Sequence, residues 1–239
     1  MNKALVSVII PYRERPAPGL NHIDEAIEHI IANGDIVGEI IVVNNNTKEF
    51  VPDNNDPRIR VINIYSKIWN SAWARNIGLK QAKYKYFANI DADVIIPPDY
   101  FAMGTNQIKD APSCPTAKIR WAKDKNWEQV LNAPWKDKNS ILNVGTRDDA
   151  KGLIILQTKH AISIKGYNEI LCGWGGADNE FIARLNKIGV SHSFMEQTYS
   201  PVHLPHGHWS GIIQGLKHKK ANYNDTKIWG DPNSTWWIA

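Results

Sequence analysis

Cysteine is scarce in the 239-residue chain, with only Cys114 and Cys172. Two cysteines without metal-site spacing build neither a disulfide framework nor a thiolate zinc centre, so free thiols in a reducing, cytoplasmic compartment are expected. An excess of one charge is lacking too. Twenty-eight Lys and Arg against 24 Asp and Glu leave a formal net charge of +4, too little to argue for nucleic acid and compatible with a small phosphate-bearing ligand. Long apolar runs are missing. The run at residues 5–10 is closed by Pro11 and then Arg13, Glu14 and Arg15, which is too short for a signal peptide. No later stretch approaches the roughly 18 apolar residues of a membrane span. Internal repeats and low-complexity linkers are also absent. The length suits one generous domain or two small ones.

Tryptophan is plentiful, with ten in the chain, and such planar amphipathic rings serve cores and carbohydrate stacking alike. Residues 6–10 read as a buried first strand. Tyr12, Arg13, Glu14 and Arg15 follow at its carboxyl end, the edge at which open α/β sheets bind ligands and where arginines can fork onto phosphate. Ile23, Ile27, Ile30 and Ile31 recur at helical spacing up to Asn33-Gly34. Further strands are predicted at 39–43, ending in Asn44-Asn45-Asn46, and at 60–64. Asn70-Ser71 caps a helix over 72–83. The run 86–90 is a strand that stops at Asp91-Ala92-Asp93. If it is extended to its end, the alternation of strand side chains turns both carboxylates to one side. Such a pair repels itself unless a cation lies between, and a hard divalent metal carrying a diphosphate suits oxygen ligands. The order of elements is that of a nucleotide-binding α/β sheet. A helix from about 97 to 109, a loop-rich insertion over 110–147, a strand at 153–157, a helix at 178–187 and a last strand at 190–194 complete the reading.

Five ordered segments, PYRER at 11–15, NSAWARN at 70–76, NIDADV at 89–94, GWGGADNE at 173–180 and HLPH at 203–206, together resemble metal-dependent glycosyltransferases of the GT-A fold. That fold is a Rossmann-like sheet with helices on both faces and an acceptor-side subregion. The likeness is to the β-1,4-galactosyltransferases and the chondroitin-polymerase type of family-two enzymes. It implies a nucleotide-sugar donor, usually a UDP-sugar, and a divalent metal, usually manganese, with magnesium as the alternative. It assigns Asp93 to the metal and Asp91 to the ribose or the metal shell. Pro11, Tyr12, Arg13, Arg15 and Asn44 fall at the nucleotide, and Arg75 at phosphate or uracil. Asp178 takes the place of the catalytic base of inverting relatives, where retaining relatives with a similar Trp-Gly-Gly motif carry asparagine. Its alternative role is the N-cap of the helix that starts there. Trp174, Gly175 and Gly176 would form the acceptor side, with the Trp174 ring as the stacking face. His203 and His206, spaced i and i+3, can offer neutral imidazoles, which suit manganese better than magnesium. His206 is the preferred ligand, with His208 close by.

The sequence departs from the pattern at Ala177, where these families usually carry glutamate, so acceptor choice does not carry over. It leaves open a non-catalytic sugar- or nucleotide-binding module. A nucleotidyltransferase would have no use for Trp-Gly-Gly followed by an acid. The expected organisation is a transferase domain at 1–208 and a basic, Trp-containing tail at 209–239, with Lys217 to Lys220 and Trp236-Trp237, packed on the domain or extending from it. Carbohydrate or glycolipid acceptors follow from the resemblance, and a lipid-linked acceptor would bring the chain to the inner membrane face.

Overall fold

The computed structural model describes residues 5–14, 21–45, 48–109, 111–123, 126–142, 151–172, 176–195, 198–206 and 229–233. Strand β1 (Val6–Tyr12) shows no alternation because both its faces are covered, and its one buried hydroxyl, Ser7, donates to Glu39 Oε1 at 2.7 Å. Val6, Val8 and Ile10 pack with Ile23, Ile27 and Ile30 of helix α1 (His22–Ile31). Ile9 packs on the opposite side with Ala72 and Leu79 of α2 (Ser71–Gln81). Strand β2 (Val37–Asn44) divides in the same way, with Ile40 and Val42 toward α1, and Ile41 and Val43 toward Trp73, Ala74 and Ile77 of α2. Parallel β3 (Ile59–Asn63) lies beyond β2, and parallel β4 (Tyr86–Asn89) lies on the other side of β1. The chain therefore reverses its direction of progress at the carboxyl ends of β1 and β4, which is where doubly wound sheets open a ligand crevice.

After β4 come β5 (Val94–Ile95), α3 (Tyr100–Ile108), β6 (Ser113–Thr116), β7 (Arg120–Trp121), α4 (Trp127–Asn132), α5 (Trp135–Ile141), β8 (Ile154–Gln157), α6 (Thr158–Ser163), α7 (Ala177–Lys187), β9 (Ser191–Phe194) and β10 (Val202–His203). Among the described residues the large sheet runs β3-β2-β1-β4-β8-β6-β9, and a small sheet runs β5-β10-β7.

Two expectations fail here. The described part of the stretch 110–147 is less loop-rich than expected, with two strands and two helices. Its Ser113–Thr116 joins the central sheet, parallel to β9, although a proline and two hydroxyl residues hide the strand from any apolar pattern. Its Arg120–Trp121 carries one edge of the small sheet, and α4 and α5 bury Val130 beside Leu142. Nor is 190–194 the last strand, because two-residue β10 follows, too short to leave a periodic signal.

Helix α2 is buried over eight successive residues, from Ala72 to Leu79. It has the sheet on one side and chain from far downstream on the other. Asn70 caps it, accepting from Trp73 N at 3.0 Å, and its amide reaches Glu169 O at 2.7 Å. The Asn76 amide donates to Tyr167 O at 2.8 Å and Glu169 Oε1 at 2.7 Å. Glu169 Oε1 also accepts from Gly230 N at 2.5 Å, and Trp73 Nε1 donates to Asp231 O at 2.9 Å. Residues 229–233 of the tail therefore dock on the domain, with Lys80 Nζ 4.7 Å from the Trp229 ring centroid. Lys217 to Lys220 and Trp236-Trp237 lie outside the described residues.

This polar hub fixes the segment leading toward α7, and Gly166 is its tightest point. Gly166 has φ +65°, and a Cβ there would overlap Asn76 Oδ1, which accepts from Tyr167 N at 2.7 Å. Gly166→Ala is expected to cost roughly 2 kcal/mol through left-handed strain and overpacking. In a chain of this size that lowers Tm by about 4–8 °C in a thermal melt. An unchanged melt would show the hub to be loosely held.

Candidate functional site

The aspartate pair does not lie on a strand. Strand β4 ends at Asn89, and Val94 N donates to Asp91 O at 3.1 Å, closing a turn. In a turn the alternation that would turn both carboxylates one way is gone. The two side chains separate into neighbouring clusters, each completed by residues from distant parts of the chain.

Asp91 belongs to the first cluster, which is built on Arg75 of α2. Arg75 Nη2 donates to Asp91 Oδ1 at 3.0 Å, and Nη1 donates to Asp178 Oδ1 at 2.6 Å. The guanidinium is buried, 6% exposed, with the Tyr167 ring centroid 5.1 Å from Cζ. Burial alone would weaken Arg75 as a base, but the Asp178 and Asp91 carboxylates outweigh it and its pKa rises. Asp178 is shifted upward, first by burial and further by Asp91, against the pull of Arg75. Two carboxylates sharing one cation leave the cluster with one net negative charge when both are ionised. Gly152 closes over the group. A Cβ at that position would stand 3.2 Å from Asp91 Oδ2, 3.3 Å from Arg75 Nη2 and 3.5 Å from Asp178 Oδ2.

Asp178 is the second residue of α7, not its N-cap. Gly176, at φ +85° and ψ −31°, occupies the cap without a side-chain bond, because a left-handed backbone there is open to glycine. The Asp178 carboxylate is therefore not spent on capping and points to Arg75 from the first turn, where the helix dipole favours an anion. Ala177 beside it is buried in the apolar cluster with Phe181 and Leu185. Here that position serves packing.

The second cluster joins Asp93, His203 and His206, whose ligand atoms all lie within 4.8 Å of one another. The small sheet brings them together. His203 of β10 pairs with Val94 of β5 and with Trp121 of β7, and Leu204 N donates to Asp93 O at 2.8 Å. His203 Nε2 is 3.6 Å from Asp93 Oδ1, and His206 Nε2 is 3.3 Å from Asp93 Oδ2. His203 Nδ1 lies 2.8 Å from Leu204 O. A carbonyl only accepts, so Nδ1 carries the hydrogen and the Nε2 lone pair is turned to the carboxylate. The Trp121 ring stacks on His203 at 3.8 Å and 20°. A buried carboxylate with two converging imidazoles is an electron-rich set that fits a divalent transition cation. Asp91, with its Oδ1 on Arg75, is not part of it.

The other predicted residues are less centrally placed. Pro11 is buried, and Tyr12 packs on Phe50 with ring centroids 5.0 Å apart. The Tyr12 hydroxyl is pushed up to about 12 by burial, with Glu14 and Asp24 adding to it. Arg13 Nη2 reaches Lys67 O at 3.4 Å, and burial lowers the Arg13 pKa against Tyr65. The Asn44 amide donates to Asn63 Oδ1 at 2.7 Å and Lys48 O at 2.9 Å, so both its hydrogens are engaged within the protein. Arg15, Asn46, Trp174, Gly175 and His208 lie outside the described residues. Gly152, Tyr167 and His22, which touch the site, carry no signal in the sequence that would have singled them out for it, whereas Trp121 lies in the Trp-containing insertion expected to flank it.

Comparison with known proteins bears on the family and the fold. The family model of glycosyl transferase family 2 matches residues 7–161. A second model, the N-terminal domain of galactosyltransferase, matches residues 147–207. No curated protein is significantly similar to the chain. Among solved structures, GalNAc-T7 with UDP, GalNAc and Mn2+ superposes with a TM-score of 0.65 at 17% identity, over 86% of this chain and 44% of the other. The chain thus spans less than half the length of that neighbour. A Drosophila β-1,4-galactosyltransferase 7 variant in complex with manganese, UDP-Gal and xylobiose superposes with a TM-score of 0.50 at 15% identity, over 91% of this chain and 76% of the other. The mixed sheet with helices on both faces is the GT-A fold of these neighbours.

Proposed function

Because the chain belongs to glycosyl transferase family 2, we propose that it is an inverting glycosyltransferase moving a sugar from a UDP-sugar to an acceptor hydroxyl of a carbohydrate or glycolipid, with Asp178 as the general base. One observation carries the reading: the aspartates of a single turn reach two adjacent clusters, one suited to a metal and the other containing the base. Asp93, His203 and His206 would hold the ion, manganese in preference to magnesium. When bound, it supplies positive charge to a diphosphate leaving group.

Asp178 faces the acceptor. With Oδ1 taken by Arg75, Oδ2 remains to receive the hydroxyl proton as the acceptor oxygen forms its bond to the anomeric carbon. The carbon–oxygen bond to the diphosphate breaks with its electron pair, and no covalent intermediate on the chain is needed. In this reading Arg75 acts on carboxylates, holding the base in place and joining it to Asp91 on the donor side. Pro11, Tyr12 and Arg13 lie at the sheet edge where the nucleoside would rest. Manganese and UDP in the structural neighbours support the donor and ion. Asparagine in retaining relatives supports inversion here.

Among the described residues no helix is long and apolar enough to cross a membrane. Incubation with a panel of nucleotide sugars and manganese, read out as released nucleoside diphosphate, is expected to single out a UDP-sugar and to fall silent on chelation. Binding without turnover for every sugar and acceptor tried would favour the non-catalytic module.

A further inference from the structure

The two histidines of the cation set are separated only by Leu204 and Pro205, and the backbone of those two residues is fully committed. Leu204 N donates to Asp93 O at 2.8 Å, and Leu204 O accepts from His203 Nδ1 at 2.8 Å. Pro205 has no N–H, and its carbonyl lies 2.6 Å from His22 Nε2. A carbonyl cannot donate, so His22 Nε2 carries the hydrogen. His22 is the first residue of α1, 9% exposed, and its ring meets His206 edge-on with centroids 6.2 Å apart. Two of the three bonds on the linking peptides come from the cation set itself. The third comes from a helix nearly two hundred residues upstream that otherwise belongs to the nucleotide half of the sheet.

We propose that His22 is a positioning residue for the metal site, clamping the Pro205 carbonyl so that His206 is presented beside Asp93 before any ion arrives. The inference rests on the metal reading above. Without the clamp the peptide before His206 is free to rotate, and the imidazole must be ordered at the expense of ion binding. His22 itself is not a ligand in this assignment, because the ligand atoms that converge are those of Asp93, His203 and His206.

The test is Mn2+ binding to the whole chain without nucleotide, followed by the loss of the free-ion electron paramagnetic resonance signal. Wild type is compared with His22→Phe and His22→Gln. Phenylalanine keeps a planar ring but has no donor, whereas glutamine keeps an N–H that reaches a carbonyl. His22→Phe is expected to weaken Mn2+ about tenfold or more, and His22→Gln to stay within about threefold of wild type, as for loss and rescue of an outer partner of a metal ligand. Thermal melts of the three proteins are read alongside, and a shared drop in Tm that leaves the difference in Mn2+ affinity intact supports the clamp. Equal Mn2+ affinities for the two variants, whether both normal or both weak, overturn it while leaving the metal site standing. A wild-type chain that takes up no Mn2+ overturns the metal reading and the clamp with it.

Discussion

Asp178→Asn is expected to lower sugar transfer by about 10²–10⁴-fold, the usual loss when a general base is removed. UDP affinity and Tm should stay near wild type. The substitution keeps the size of the side chain and an oxygen for the 2.6 Å bond from Arg75 Nη1, and capping does not depend on it because Gly176 occupies the cap. The ion-binding residues belong to the other cluster, so donor affinity has no reason to fall. Burial and Asp91 raise the Asp178 pKa against Arg75, and the base acts ionised. Transfer should therefore decline as pH falls through a value above the ordinary aspartate range, giving an acid limb in kcat/KM.

The sign for stability is opposite to that of a carboxylate with a lowered pKa. A group whose pKa is raised on folding contributes stability below its unfolded pKa and loses it as pH rises through the folded value. At neutral pH the fold therefore favours the ionised carboxylate less than it would the protonated one, and the bond from Arg75 offsets part of that difference. The measurement is transfer rate against acceptor concentration at several pH values, together with calorimetry for UDP and a melt of the same variant. Normal turnover would exclude Asp178 as the base. Unfolding would show its bond to Arg75 to be mainly structural.

The parts legible in the sequence were those where local chemistry and tertiary demand agree. The apolar runs at 8–10 in β1 and 40–43 in β2 announce strands buried on both faces, and Asn70 announces the start of α2; both hold. Less legible were elements whose cause lies elsewhere in the chain. Ser113–Thr116 is a strand because β9 and β8 offer it partners, and Val202–His203 because β5 and β7 do. The acidic motif stands out in the sequence, but its geometry does not follow from its spacing. Two-residue spacing means one face only on a strand, and the chain turns between Asp91 and Val94. Arg75 shows the same limit. Its place on a helix can be read from the capping Asn70, but a buried guanidinium shared by Asp91 and Asp178 required the fold.

That split of the two aspartates sets up a sharper contrast. Asp93→Ala is expected to abolish the manganese dependence of UDP binding, lowering affinity in the presence of the ion by about 10²-fold or more, since even outer partners of metal ligands cost 10–100-fold. Asp93 is the one carboxylate of the cation set. Without it two neutral imidazoles must hold a divalent ion with no anionic ligand, and the diphosphate then approaches a neighbouring cluster of net negative charge with nothing between to offset the repulsion. Asp91→Asn should behave differently. Its Oδ1 is engaged with Arg75 Nη2 at 3.0 Å, so Mn2+ affinity without nucleotide should stay near wild type while transfer suffers through Asp178. Titration calorimetry of UDP with and without manganese, and of manganese alone, separates the two variants. Equal UDP affinity with and without the ion in the wild-type chain would remove the metal bridge from the reading. Loss of manganese binding in Asp91→Asn as deep as in Asp93→Ala would show that both aspartates close on one ion when it is present, and that the turn between them moves to allow it.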